Sequence, residues 1–175
     1  MLKIVNFLVI YLELTIFVII HFNSTNKCIK IMEVKIKKLN PNAVVPSYAK
    51  PGDAGLDLTA VSYECNDNGH VYGTGLAIEI PQGYVGLLFP RSSNRKTQAY
   101  LTNSVGVIDS GYRGEIMVTY KNRDVNFDNQ EFAPYKVGER IAQLIIVAYP
   151  AIQLVEVTEL SDSERGIGGH GSTGK

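Results

Sequence analysis

From residue 32 onward the chain offers short apolar or alternating runs cut by turn signals, and no amphipathic run long enough for a sizeable helix; that restricts the fold to sheets. Residues 34–39 alternate and stop at Asn40-Pro41-Asn42. Pro46 and Pro51-Gly52-Asp53 punctuate the next stretch. Residues 56–60, 75–80 and 84–89 read as strands, the last two joined by Pro81-Gln82-Gly83. Asn66-Asp67-Asn68-Gly69 reads as a loop. Residues 141–148 are apolar enough for a strand buried on both faces, and residues 154–157 close the set. Only residues 92–100 have the composition of a short helix. Strands this short at this spacing predict an all-β sandwich or jelly roll.

The chain has 175 residues, enough for one domain with a core. Its 17 basic and 17 acidic residues balance, so no basic excess points to nucleic acid. Cys28 and Cys65 lack metal-ligand spacing with each other or with His21, His70 and His170. A zinc site or disulfide framework is not expected, and a reducing, cytoplasmic setting is. Residues 1–31 differ from the rest. They are rich in Leu, Ile, Val and Phe but interrupted by Asn6, Glu13, Thr15 and His21. A Glu in mid-bilayer costs roughly 2–3 kcal/mol, and no small-residue cleavage site follows. A poor anchor, a poor signal and sequence upstream of the true start all remain open. The expectation is a folded β domain over residues 32–160 that starts at Met32, followed by a Gly-rich arm over 161–175, with no membrane partner.

Chemistry concentrates in Gly106-Val107-Ile108-Asp109-Ser110-Gly111-Tyr112-Arg113-Gly114-Glu115. Val105, Val107 and Ile108 read as the end of a buried strand. Ser110-Gly111 reads as a two-residue hairpin turn, with Ile116, Val118 and Tyr120 alternating on the return strand. Such a hairpin holds Asp109 and Tyr112 close together at the mouth of a sheet. A carboxylate beside an aromatic face suits binding a polar ring and activating a water. An acid that opens a turn and a ring that packs would look the same.

Four further segments are each ambiguous. Phe89-Pro90-Arg91-Ser92-Ser93-Asn94-Arg95 ends a strand, with Ser92 as N-cap of the short helix and Arg91 as a bidentate donor for an anion, or as an ordinary solvated residue. Asp57, in Ala54-Gly55-Leu56-Asp57-Leu58-Thr59-Ala60, sits in an apolar strand and must be paired or serve a cation. Gln143, inside the apolar run after Gly138-Glu139-Arg140, could hold a water or a phosphate oxygen, or tie two strands. Gly169-His170-Gly171-Ser172-Thr173-Gly174-Lys175 fits most of a Walker A pattern, yet has neither the final Ser or Thr nor a following helix. What survives is an arm rich in backbone N–H groups which, with Arg165, can wrap phosphates.

The order of these segments is more specific than any one of them. Residues 54–60, Arg91-Ser92-Ser93, residues 106–115, 138–144 and 165–174 together resemble the five motifs of the homotrimeric dUTP pyrophosphatases, over residues 32–175. The resemblance implies a jelly-roll-like β fold, a homotrimer with active sites at subunit interfaces, and Mg²⁺-dependent hydrolysis of dUTP to dUMP and pyrophosphate. That activity keeps uracil out of DNA and supplies dUMP for dTTP synthesis. By position, Asp109 resembles the general base that activates water for attack at the α-phosphorus. The same resemblance implies that Tyr112 stacks under the deoxyribose and excludes a 2′-OH. It implies that Asn103 contacts uracil and that backbone groups of Gly106, Val107 and Ile108 read the rest of its edge. It also implies that Arg91, Ser92, Ser93 and Gln143 hold phosphate oxygens, Gln143 near the α-phosphate. The resemblance further implies that Arg165 and the Ser172-Thr173 region close over the β- and γ-phosphates from a neighbouring subunit, with His170, next to Gly171, stacking on uracil. Asp57 matches an acid in the water shell of Mg²⁺. Where the family commonly has Phe, this chain has His170, which implies a weaker or pH-sensitive closure. Ser93-Asn94 replaces a commoner Gly and small apolar residue. Arg-Ser-Ser is also similar to dCTP deaminases of the same fold, which leaves a deaminase and a dUTP-sensing regulator as alternatives.

Overall fold

The structure, a computed structural model, describes residues 31–123 and 133–169. The readings of the apolar segment before residue 31 and of His170, Gly171 and Ser172 lie outside those residues. The described chain forms ten strands: β1 (Lys35–Lys38), β2 (Leu56–Thr59), β3 (Ser62–Asn66), β4 (Gly69–Gly73), β5 (Leu76–Glu79), β6 (Tyr84–Pro90), β7 (Ala99–Leu101), β8 (Gly106–Ile108), β9 (Met117–Asn122) and β10 (Arg140–Ala148). They pair antiparallel into a β1-β5 ribbon and two four-stranded sheets, β2-β10-β6-β8 and β3-β4-β9-β7. The fold is all-β and jelly-roll-like. Among the described residues no helix is long and apolar enough to cross a membrane.

Inward alternation builds the core. Val118 and Tyr120 of β9 are fully buried while Met117 is exposed. Leu58, Ile141 and Leu144 are fully buried in the other sheet. Tyr120 reaches between the sheets, its hydroxyl donating to the Ile141 carbonyl at 2.8 Å. Tyr72, Tyr120 and Tyr135 pack with ring centroids 5.3 to 6.4 Å apart. Tyr72 donates to the Tyr135 carbonyl at 2.9 Å and accepts its N–H at 3.1 Å, so a buried phenol is satisfied on both sides.

Several expectations change. Residues 154–157 form no strand, and Leu154 and Val155 are 89% and 73% exposed. In β10 only Ile141, Ala142 and Leu144 are fully buried; Gln143, Ile145, Ile146 and Val147 are half-buried. The helix expected over 92–100 is a single 3₁₀ turn, Ser92–Lys96, because β7 begins at Ala99. The loop at residues 66–69 is the turn of a β3–β4 hairpin, whose strands carry no clear sequence pattern because both mix in polar residues. One of them, His70, is fully buried, within hydrogen-bond distance of Tyr63 and Asn122.

Candidate active site

Strand β6 is the axis of the site. In the antiparallel register Gln143 of β10 stands between Asp57 on β2 and Phe89 on β6. The chain leaves β6 at Pro90, which delivers Arg91 to the same end. Arg91 Nε donates to Asp57 Oδ1 at 2.7 Å and Nη2 to Oδ2 at 3.2 Å, a two-pronged fit of guanidinium to carboxylate. Arg140 Nη1 adds a bond to Oδ2 at 2.9 Å. The strand acid is therefore paired twice. One carboxylate against two guanidinium groups leaves a local excess of positive charge, the setting an anion needs. Asp57 and Arg91 side chains are only 19% and 22% exposed, so solvent screens this pair less than a surface bridge. Gln143 Nε2 donates to the Pro90 carbonyl at 3.0 Å, tying β10 to β6 with one of its two amide protons. Gly55 makes room for it: a Cβ there would run into Gln143 Oε1.

Ser92 is not an N-cap. The residue before the 3₁₀ turn is Arg91, in extended conformation, with no side-chain capping bond, and Ser92 is exposed. The turn is pinned by Asn94 instead. Its Nδ2 donates to the Ala99 carbonyl at 2.9 Å, and its Oδ1 accepts the Tyr135 hydroxyl at 3.1 Å. Half-buried Ser93 lies 3.3 Å from Arg91 Nη1.

A second group lies along β8, the last strand of its sheet. Asn103 occupies a turn closed by Ser104 N–H donating to the Leu101 carbonyl at 3.0 Å, with Ser104 at φ 60°. Gly106 lets the chain pass close: a Cβ would stand 2.9 Å from Leu88 Cβ and 3.3 Å from Asn103 Nδ2. Val107 is 65% exposed, so β8 is an edge rather than the buried strand expected. Among the described residues no strand pairs with its outer edge.

Asp109 follows β8 and is exposed. Its carbonyl accepts the Tyr112 N–H at 3.1 Å, so Ser110-Gly111 do form the centre of a turn. That turn does not make a hairpin, because β8 and β9 belong to different sheets. It is a corner between sheets, closed by Arg113 Nη1 donating to the carbonyls of Ser110 at 2.7 Å and Tyr112 at 2.8 Å. Asp109 and Tyr112 are joined through this backbone.

The two groups stand apart within one chain. Ile108 pairs with Gly86, whereas Arg91 lies beyond the other end of β6, roughly 16 Å along the strand. Asp57, Arg91, Ser93 and Gln143 come together; Asp109 and Tyr112 do not join them. Arg165 is exposed and bonds within its own segment, Nε to the Gly168 carbonyl at 2.9 Å.

The dUTPase family model matches residues 41–174. The chain belongs to the dUTPase family. A deoxyuridine 5′-triphosphate nucleotidohydrolase of Nautilia profundicola is 44% identical over 147 residues, covering 82% of this chain and all of that one. That of Rhodococcus erythropolis is 40% identical over 146 residues, 82% of this chain and 87% of its own. The dUTPase of Staphylococcus bacteriophage 80alpha, solved with dUPNHPP, superposes with a TM-score of 0.69 at 31% identity, over 83% of this chain and all of that one. A variant dUTPase of the S. aureus phage phi11, described with a coordinated structural Mg(II) ion, matches at TM-score 0.62 and 27% identity, over 73% of this chain and 98% of that one.

Within this dUTPase fold three contributors went unread in the sequence. Arg140 was visible as a basic residue opening the strand that carries Gln143, yet only the β2–β10 register brings it to Asp57. Tyr135 reaches Asn94 from 41 residues away, and no local signal announces that. Glu115 was seen as the end of a motif; its side chain turns out to bond Gly75 N–H at 2.7 Å.

Proposed function

We propose that this dUTPase performs its hydrolysis of dUTP to dUMP and pyrophosphate at a site shared between chains of a homotrimer. The supporting observation is the separation of the Asp109 corner from the Asp57–Arg91–Arg140 cluster within one chain. A cyclic arrangement brings one chain's corner to its neighbour's cluster. The exposed run of Ile152, Leu154, Val155 and Leu160, 73% to 89% exposed, is the kind of apolar surface that a neighbouring chain covers. It leads on to Arg165 and the Gly-rich tail, so the arm supports delivery of those residues to another chain's site.

In this reading Asn103 and the β8 edge take the uracil, and Tyr112 lies against the deoxyribose. Arg91, Ser92, Ser93 and Gln143 take phosphate oxygens, with Arg165, His170, Gly171 and Ser172 closing over the substrate. Asp109 accepts a proton from water as the water oxygen bonds to the α-phosphorus. The bond from that phosphorus to the oxygen bridging to the β-phosphate breaks, and pyrophosphate leaves with the electron pair. Exposure of Asp109 lets the proton pass on to solvent. Positioning and charge neutralisation supply most of the catalysis, as phosphoryl chemistry requires.

Mg²⁺ fits these residues only as a companion of the triphosphate. Among the described residues no group of three or more His, Cys, Asp or Glu is arranged to hold a metal ion. Both Asp57 oxygens already face guanidinium groups, and their remaining lone pairs suit a hydration water rather than the ion. When bound there, Mg²⁺ offsets phosphate charge and fixes the phosphate oxygens. The test is release of pyrophosphate from dUTP, dTTP, dCTP and UTP with Mg²⁺, by the full chain and by Asp109→Asn. Release from dUTP alone, lost in the variant, supports the assignment. Ammonia from dCTP would point to the deaminase, and release that survives in the variant would remove Asp109 from its role.

A further inference from the structure

Glu115 is engaged at both its ends. Its Oε1 accepts the Gly75 N–H at 2.7 Å, and its backbone carbonyl accepts the Tyr112 hydroxyl at 2.9 Å. Gly75 forms the corner between β4 and β5, at φ 66°. A Cβ at Gly75 would lie 2.7 Å from Asn40 Cβ and 3.0 Å from Ala43 Cβ, so the corner is wedged against the segment after β1. Ile116 is tied to the same corner. Its N–H donates to the Leu76 carbonyl at 2.8 Å, and its carbonyl accepts Thr74 N–H at 3.3 Å and the Thr74 hydroxyl at 2.7 Å. Residues 115 and 116 thus stand on a rigid post. Tyr112 is 47% exposed, and its ring lies back over Gly114, where a Cβ would meet ring Cζ at 2.6 Å and Cε2 at 2.9 Å. On a residue this exposed, the ring owes its orientation to this seat and to the hydroxyl bond.

We propose that Glu115 is a positioning residue for sugar selection: by anchoring to Gly75 it fixes the carbonyl that holds the Tyr112 hydroxyl, and so sets how closely the ring approaches the 2′ carbon. The inference rests on the reading in which Tyr112 lies against the deoxyribose. A ring in a fixed place rejects an added 2′-OH by volume, and a ring free to retreat admits it. The geometry uses Glu115 as a hydrogen-bond acceptor, so an amide oxygen serves equally. Alanine leaves the Gly75 N–H without its partner and the post free to shift.

The experiment measures kcat/KM for dUTP and for UTP in the full chain, its Tyr112→Ala, Tyr112→Phe, Glu115→Ala and Glu115→Gln variants, together with thermal unfolding of each. Tyr112→Ala is expected to lose most of the preference for dUTP. Glu115→Ala is expected to lower the dUTP-to-UTP ratio about tenfold, mainly by a gain with UTP, while Glu115→Gln stays within about twofold of the parent. Tyr112→Phe falls between, because it removes the hydroxyl link alone. A merely structural role would lower the melting temperature and both rates together and leave the ratio unmoved, which would overturn the inference. If Tyr112→Ala loses the preference and Glu115→Ala keeps it, the positioning role fails and the Tyr112 reading stands. If Tyr112→Ala keeps the preference, both fall. Should Glu115→Ala not fold, a ratio lost in Tyr112→Phe and kept in Glu115→Gln supports the role, and equal ratios in the two overturn it.

Discussion

The cluster at the end of β6 and the corner after β8 are made in opposite ways. Asp57 reaches Arg91 across 34 residues and Arg140 across 83, so the cluster exists only when three strands pair in register. In the corner, Tyr112 bonds Glu115 and Arg113 bonds Ser110, each three residues away. The corner is set by its own backbone and seated, through Glu115 and Ile116, on residues 74–76. The cluster supplies fixed charge, and the corner supplies one placed carboxylate and one placed ring. A site that needs both must join a product of sheet register to a product of local turn geometry, and within one chain they are not joined.

Mixing inactive chains breaks that comparison most directly. Asp109→Asn is expected to cut kcat by about 10³-fold with stability nearly unchanged, since the side chain is exposed. Arg91→Ala removes the main partner of Asp57. If each site takes its corner and its cluster from different chains, co-refolding equal amounts of the two variants restores roughly a quarter of the sites, the fraction in which an intact corner meets an intact cluster. The measurement is pyrophosphate release by the mixture against each variant alone. A mixture no better than its parts would place both groups in one chain and sink the shared site.

Removing the acid probes the cluster by itself. Asp57→Ala leaves Arg91 and Arg140 facing each other with no carboxylate between them. The pair is largely shielded on the Asp57 and Arg91 sides and open at Arg140, so the loss is about 2 kcal/mol rather than the larger cost of a fully buried pair. Urea unfolding of the variant reads this out, and a change within error would mean that water already satisfies both arginines.

Two glycine substitutions sharpen the contrast, because each adds one methyl group at one end. Gly55→Ala pushes against Gln143 Oε1 and is expected to lower kcat with dUTP about tenfold while leaving the choice of sugar alone. Gly114→Ala pushes the Tyr112 ring off its seat and is expected to lower the dUTP-to-UTP ratio about fivefold with a smaller effect on kcat. Steady-state kinetics with both nucleotides separates them. The same signature from both variants would mean that the two ends are mechanically one.

What could be read from the sequence follows the same division. The corner lies in one contiguous motif, so Asp109, Tyr112 and the turn at Ser110-Gly111 were readable from turn chemistry and alternation. They suggest a hairpin where the structure has a corner between sheets, because whether the strand after a turn returns to the same sheet depends on long-range packing that turn residues do not encode. In the cluster, Asp57 announced only that a partner must exist. Nothing near it in sequence could say that Arg91 and Arg140 both serve. Residues 154–157 are apolar enough for a strand but find no pairing strand among the described residues, since an apolar run reports a surface to be covered and not what covers it.

The smallest effect near neutral pH concerns the tyrosines behind the cluster. Burial raises the phenols of Tyr72, Tyr120 and Tyr135 above their ordinary value near 10. For a group whose folded pKa is raised, the stabilisation is complete below the unfolded pKa and is lost as pH climbs from there towards the folded value. Stability is therefore expected to be flat with respect to these groups up to about pH 10 and to fall above it, by up to about 1.4 kcal/mol per pH unit for each tyrosine. Tyr135→Phe should remove one share of that slope. It should also cost about 1 kcal/mol at neutral pH, because the hydroxyl that holds Asn94 and the 3₁₀ turn is gone. Urea unfolding of parent and variant between about pH 8 and pH 11 tests both parts. A parent whose stability stays level to pH 11 would show that these hydroxyls ionise without opening the core, which would overturn the expected slope.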